Sequence, residues 1–309
     1  MILCCGEALI DMIPAVSDQG QNCFVPHSGG AVFNTSIALG RLGAATGFVT
    51  GLSTDLFGTQ LTQSLSDSKV DCSLAVYSNL PSTLAFVQLN NGQATYTFYD
   101  ENTAGRSLTP NQLPDVPDDV SALFFGGISL ISEPCAEFYA ALALREADDR
   151  LIMLDPNIRA AFVQDETRYR ERLERMIAVA NIVKVSDEDL DWIVPGDQDL
   201  AGRARALCAK GPHVVIVTRG GEGAMAFLSD GTQTDVPAHR VAIVDTVGAG
   251  DTFNAGVLAK LSERGLLNAS GVRRIGAADM SEALSFGASV AAVTVGRAGA
   301  NPPWAHELS

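Results

Sequence analysis

Positive charge is scarce in this chain of 309 residues: 21 Lys and Arg stand against 36 Asp and Glu, a formal charge of −15. A surface that acidic repels phosphate backbones and anionic lipids, which argues against nucleic acid or a membrane as a partner. An anionic ligand would need a local site of backbone amides, a few Lys or Arg, and a metal. No uninterrupted apolar stretch reaches membrane-spanning length. The segment from Met1 to Glu7 is apolar but short and lacks the basic region of a signal peptide. Cys4, Cys5, Cys23, Cys72, Cys135 and Cys208 form no CxxC pair, and no Cys/His cluster has zinc spacing. Buried, reduced thiols in a cytoplasmic protein are the expectation. His27, His213, His239 and His306 are scattered, so none receives a catalytic role. Long repeats, low-complexity tracts and linkers are missing too.

What is present suits a folded globular chain: 47% hydrophobic and 18% charged residues. Short apolar runs read as buried strands at Ile2–Cys5, Leu123–Phe125, Leu151–Leu154, Ile182–Val185 and Val214–Thr218. Helical stretches lie between them. Ala31, Val32, Thr35, Ala38, Leu39 and Leu42 form one stripe, and Phe253, Val257 and Leu261 stack along a helix from about Asp251 to Arg264. This alternation predicts an α/β fold, a mostly parallel central sheet with helices on both faces. One segment breaks the rhythm. Thr83–Leu89 and Ala94–Tyr99 read as strands joined by Asn90-Asn91-Gly92-Gln93, where Asn-Gly favours a tight turn. Two strands alone are marginal. We read them as a small β lid within a single domain over 1–309, its strands drawn from about 14–28 and 82–105, with Asn22–Pro26 as a neighbouring strand.

Three motifs point to chemistry. Asp245-Thr246-Val247-Gly248-Ala249-Gly250-Asp251 follows the apolar run Val241–Val244, read as a strand, and opens a helix. Small residues let the backbone approach a ligand, and free amides at a helix start attract anions. The pattern is neither a Walker loop nor a dinucleotide fingerprint. The alternative is that Asp251 merely caps the helix. Ser28-Gly29-Gly30 precedes the first amphipathic helix, with Asn34 one turn in, able to donate and accept hydrogen bonds. Asp11, read as lying just beyond the first strand, stands where α/β folds bind ligands. Asp155-Pro156-Asn157-Ile158-Arg159 follows another strand and offers a permanent cation in Arg159. Thr218-Arg219-Gly220-Gly221-Glu222-Gly223 is a further Gly-rich turn after a strand.

Together these residues resemble the ribokinase-like (PfkB) carbohydrate kinases, across essentially the whole chain. Gly29-Gly30 to Asn34 resembles the family's first signature and Asp245 to Asp251 its second. Among members, Gly6-Glu7-Ala8-Leu9-Ile10-Asp11-Met12, Thr103-Ala104 and Gly126-Gly127-Ile128-Ser129-Leu130 are most similar to bacterial fructokinases. The resemblance implies a ribokinase-like fold and transfer of the γ-phosphoryl of ATP, with Mg2+, to a primary sugar hydroxyl. It implies Asp251 as base, the Gly248, Ala249 and Gly250 amides as anion hole, and Asp11, Gly29, Gly30, Asn34 and Arg159 around the sugar. Asn157, Lys184, Ser186, Thr218, Gly220 and Gly223 are implied at the nucleotide. Asp189, in Ser186-Asp187-Glu188-Asp189, stands where the family has Asn-x-x-Glu, and its implied role toward magnesium runs through water. Asp245 is implied near a monovalent cation such as K+. Gly287-Ala288-Ser289 replaces the usual Asn near adenine, so no adenine contact is assigned. A homodimer through the lid is a further expectation, because both faces of Leu84–Leu89 are apolar. Rival substrates are 2-keto-3-deoxygluconate, ribose and nucleosides. Tyr99-Asp100-Glu101-Asn102 in the lid, lacking basic residues, disfavours an acidic sugar. A silent sugar sensor and an interaction protein presenting the lid are the readings from other classes.

Overall fold

Residues along each short apolar strand point alternately to opposite sides, and in the computed structural model, which describes residues 1–90 and 93–308, this sorts the core into two layers. Ile2, Cys4, Phe124, Met153, Ile182 and Ile216 face one side, against the helices Ala31–Arg41, Ala249–Glu263 and Ala277–Val295. Leu3, Cys5, Phe125, Leu154, Val183 and Val217 face the other, against Cys135–Glu146, Glu166–Val179 and Leu200–Cys208. Burial on both faces is why these strands read as unbroken apolar runs.

The main sheet runs in the order Gln233–Val236, Ala224–Leu228, Val214–Thr218, Ile182–Ser186, Leu151–Asp155, Ala122–Gly126, Ile2–Cys5, Thr46–Val49, Val70–Asp71. From Val214–Thr218 to Val70–Asp71 all neighbours are parallel, and the two remaining strands join antiparallel. The mostly parallel expectation therefore holds, with an antiparallel edge. Chain order reverses between Ile2–Cys5 and its neighbours, and ligands of open α/β sheets bind beyond the C-terminal ends of strands at such a place.

The lid is a second sheet, ordered Asn22–Gly29, Leu9–Val16, Leu84–Asn90, Gln93–Tyr99. It corrects the placement of Asp11. The chain leaves the first strand at Cys5 and re-enters extended structure at Leu9, so Asp11 lies on a lid strand opposite His27. The predicted turn falls on Asn91 and Gly92, outside the described residues. Val16, Phe24, Val25 and Tyr99 of this sheet are exposed. No described helix is long and apolar enough to cross a membrane.

Candidate active site

The start of the helix Ala249–Glu263 differs from the sequence expectation in one instructive way. Its N-cap is Gly248, at φ 77°, so Asp251 is the third helical residue and caps nothing. A side chain at position 248 would suffer twice: the backbone is left-handed, and a Cβ would lie 2.6 Å from the Ala300 Cβ. Freed from capping, the Asp251 carboxylate turns inward, 8% exposed, and its Oδ2 accepts a hydrogen bond from Asn34 Nδ2 at 2.9 Å. The Thr35 hydroxyl donates to the Asp251 carbonyl oxygen at 3.1 Å, fastening the two helices together. Burial pushes the Asp251 pKa up to about 7; the Asn34 bond and the Lys184 charge oppose the rise, while Asp155 and Glu7 add to it. A carboxylate poised near neutrality is well matched to general-base work.

Val241–Val244 is not a strand. Val241, Ile243 and Val244 are exposed, and the segment is held by Val244 and Asp245 amides donating to the Val295 carbonyl at 2.9 and 3.2 Å. Asp245 anchors the turn: its Oδ1 accepts from the Val247 amide at 3.0 Å and its Oδ2 from the Gly299 amide at 2.9 Å.

Beneath the turn lies a buried polar cluster. Lys184 Nζ pairs with Asp155 Oδ2 at 3.0 Å, and Asn254 Nδ2 donates to the same oxygen at 2.7 Å. Lys184 Nζ lies 3.4 Å from where a Cβ on Gly250 would stand, so its charge sits directly under the glycine turn. Asn157, at φ 44°, follows Asp155, and its Oδ1 accepts from Arg159 Nη1 at 2.6 Å.

Several of these groups line a cleft of about 380 Å3. It collects Asp11, Gly30 and Asn34 on one side, Asn157, Arg159 and Lys184 on another, and Gly248, Ala249, Gly250 and Asp251 at the turn. Burial also lifts the Asp11 pKa, to about 6. Gly29 ends its lid strand opposite Leu9, just outside the lining. Ser186 and Thr218 are register partners at the ends of adjacent strands, and Gly220 and Gly223 bound the next turn, at the same edge of the sheet. Ser186 caps the helix Asp187–Ile193. Asp189 lies outside the lining: its Oδ1 accepts from the Ile158 amide at 3.0 Å and its Oδ2 from the Ser186 amide at 3.3 Å. Among the described residues no group of three or more His, Cys, Asp or Glu is arranged to hold a metal.

Sequence reasoning assigned no role to several cleft residues. Glu7 is buried, with Oε1 accepting from the Ala31 amide at 2.9 Å and Oε2 from the Ser129 amide at 3.2 Å. It follows the first strand, and that position was the available signal. Tyr96 and Phe98 share one face of a lid strand, two residues apart, and Phe98 meets Phe162 edge-on at 4.8 Å. No local pattern announces that contact between distant segments.

Residues 1–307 match the family described as pfkB family carbohydrate kinase. The chain is 53% identical over 268 residues to a fructokinase of Rhizobium leguminosarum bv. trifolii, covering 86% of this chain and 81% of that protein. It is 33% identical to a fructokinase of Klebsiella pneumoniae, with 84% of each chain covered. A Xylella fastidiosa fructokinase solved with bound ATP superposes with TM-score 0.88 at 26% identity, covering 99% of this chain and 97% of that one. With the fold, the glycine turn and the buried Asn34–Asp251 pair in one cleft, the chain belongs to the pfkB family of carbohydrate kinases.

Proposed function

We propose that this protein transfers the γ-phosphoryl group of ATP to the 6-hydroxyl of fructose, with Asp251 as general base. The observation that carries the reading is the buried Asp251 carboxylate, held by Asn34 at 2.9 Å beside a glycine-capped helix start. Fructokinase is also the name borne by relatives at 53% and 33% identity. Phosphoryl transfer needs alignment and charge neutralisation more than covalent chemistry from the protein. Asp11 and Asn34 orient sugar hydroxyls. Asp251 accepts the proton of the attacking hydroxyl as the oxygen–phosphorus bond forms. The Gly248, Ala249 and Gly250 amides, backed by the Lys184 ammonium, receive the charge that develops on the phosphoryl oxygens. Arg159 offers a second cation at the cleft, and the lid excludes water that would otherwise hydrolyse ATP.

The nucleotide lies along the edge formed by Asn157, Ser186, Thr218, Gly220 and Gly223. Magnesium, when bound, neutralises phosphate charge. The absence of a carboxylate cluster among the described residues fits an ion held chiefly by phosphates and water, as magnesium commonly is. Asp189, with both oxygens on backbone amides, reaches it only through water. A potassium ion near Asp245 would supply positive charge beside the turn that Asp245 holds through the Val247 and Gly299 amides. We place the protein in the cytoplasm, a reading supported by its six free cysteines. Exposed Val16, Phe24, Val25 and Tyr99 on the lid support a homodimer through that sheet; sedimentation at monomer mass would refute it.

Coupled ADP release over fructose, mannose, glucose, ribose, 2-keto-3-deoxygluconate and adenosine tests the substrate. Fructose is expected to give the highest kcat/KM. A higher value for ribose or 2-keto-3-deoxygluconate removes the fructose reading and leaves the kinase.

A further inference from the structure

A second cavity, about 820 Å3 and larger than the cleft, lies against it. The two adjoin, and Tyr96, Phe98, Ile128 and Phe162 line both. Between them the Phe98 ring, from the lid strand Gln93–Tyr99, meets the Phe162 ring edge-on, centroids 4.8 Å apart and planes at 89°. Phe162 belongs to the short turn Ala160–Phe162 just after Arg159. None of the four residues belongs to the anion turn or to the Asn34–Asp251 pair.

The lining of the larger cavity indicates what it would admit. It carries both signs of charge, and each arginine is already paired. Arg106 pairs with Asp100 at 2.7 Å, Arg168 with Glu133 at 3.1 Å, and the buried Arg172 with Glu133 and Glu137. Ser132 Oγ also donates to Asp100, at 3.2 Å. With no unpaired cation among its described lining residues, the cavity suits no phosphate. Paired charges rich in donors and acceptors, beside aromatic faces, suit an uncharged ring bearing hydroxyls, which buries carbon against the rings while its oxygens reach the polar groups.

Resting on the fructose reading above, we propose that the Phe98–Phe162 contact is the specificity wall of the enzyme: it restricts acceptors to monosaccharides, and the cavity behind it is a latent subsite for a second sugar ring. Truncating Phe162 joins the two spaces. An acceptor in which fructose carries a second ring then fits with the 6-hydroxyl still at Asp251. The chemistry is unchanged: the hydroxyl proton goes to Asp251, the oxygen–phosphorus bond forms, and the bond to the β-phosphate oxygen of ATP breaks, releasing ADP.

Sucrose is the probe, because its fructose ring keeps a free 6-hydroxyl. The experiment measures kcat/KM for fructose and for fructose-free sucrose in the unaltered protein, Phe162→Ala, Phe98→Ala and the milder Phe162→Leu, which serves if an alanine variant does not fold. Mass spectrometry identifies the phosphorylated product. The ratio of sucrose to fructose should be low in the unaltered protein and rise roughly tenfold or more on truncation, the scale of discrimination by apolar contacts. A ratio unchanged in the folded variants, with fructose still turned over, overturns the wall. So does sucrose turnover already matching fructose in the unaltered protein. Failure of the unaltered protein on fructose, with another sugar active, instead removes the substrate reading and the wall with it.

Discussion

Helix starts in this molecule differ in what meets their first amides. Leu56–Asp67, Glu166–Val179, Asp187–Ile193 and Leu200–Cys208 each follow an Asp or Ser whose side chain accepts a first-turn amide. The two helices that meet at Asp251 instead follow glycines, Gly30 at φ 112° and Gly248 at φ 77°, with no capping side chain. A capped start satisfies its own donors. A glycine start leaves donors and the positive end of the helix dipole facing outward, here toward the cleft. At Gly30 a carboxylate from elsewhere, Glu7, takes the Ala31 amide. Cys135–Glu146 and Ala277–Val295 also lack a side-chain cap, but they start from Pro134 at φ −87° and Gly276 at φ −109°; what sets the two starts at the candidate site apart is a glycine at positive φ.

The sharpest break of that comparison is Asp251→Asn. It should lower kcat roughly 10²–10⁴-fold, the usual range for a positioned acid–base group. Unaltered protein should gain kcat as pH rises through about 7, since the base must be ionised. Stability should move the other way. Burial raises this carboxylate's pKa from 3.8 to about 7, so across that interval the folded state binds more protons than the unfolded. The group's contribution is then lost as pH rises through the window. Asparagine removes the charge, so the variant should melt higher than the unaltered protein at about pH 8. A well-folded variant with near-normal kcat would sink the base assignment.

Gly248→Ala should come next. The left-handed backbone and the contact with Ala300 displace the amides of the turn, with an expected loss of roughly 10²-fold in kcat, as for an impaired oxyanion donor. If kcat holds while Tm falls, the glycine serves the fold and not the anion.

Asn34→Ala and Asp11→Ala separate two roles on the sugar side. Each should raise the sugar KM, by roughly 1–3 kcal/mol in binding, the penalty for a buried group left unpaired, with little effect on ATP. Only Asn34→Ala should also move the pH midpoint of kcat upward, because the Asn34 bond opposes the burial that raises the Asp251 pKa. Steady-state kinetics over a pH series reads both effects; unchanged sugar KM in both folded variants would remove them from the site.

Much of this arrangement is legible in the sequence. The strands Ile2–Cys5 and Val214–Thr218 keep their expected bounds, because burial on both faces writes itself as a short apolar run. The same rule misleads at Val241–Val244, where an apolar run proves exposed and irregular: a run without periodicity carries no record of what covers it. Asp11 reads as lying beyond the first strand because nothing local at Gly6 announces that the chain starts a new sheet. The glycine turn before a helix start was legible. Its register was not, since only the left-handed backbone at Gly248 makes that residue the cap and frees Asp251. Phe98 and Phe162 stayed silent because a contact between segments more than sixty residues apart leaves no local trace.

The smallest effect supplies the control. Asp199 is exposed, and its Oδ1 accepts the Gly202 amide at 2.7 Å at the start of Leu200–Cys208. It lies outside the cleft lining. Asp199→Ala strips one donor of its partner and should lower stability by about 1 kcal/mol, the typical value of an N-cap. Asp199→Asn should restore it, because asparagine caps about as well as aspartate. Neither change should alter kcat or KM, since the helix packs through Ala204, Leu207 and Cys208 against the face of the sheet away from the Ala31–Arg41 and Ala249–Glu263 helices. The contrast with position 251 is then complete: at 199 asparagine preserves everything aspartate does, and at 251 it preserves the fold and loses the reaction. Thermal melts and steady-state kinetics of the two pairs measure it. A kinetic defect in Asp199→Ala comparable to that of Gly248→Ala would mean that any disturbed helix start weakens the enzyme, and the contrast between a side-chain cap and a positive-φ glycine would no longer mark the site.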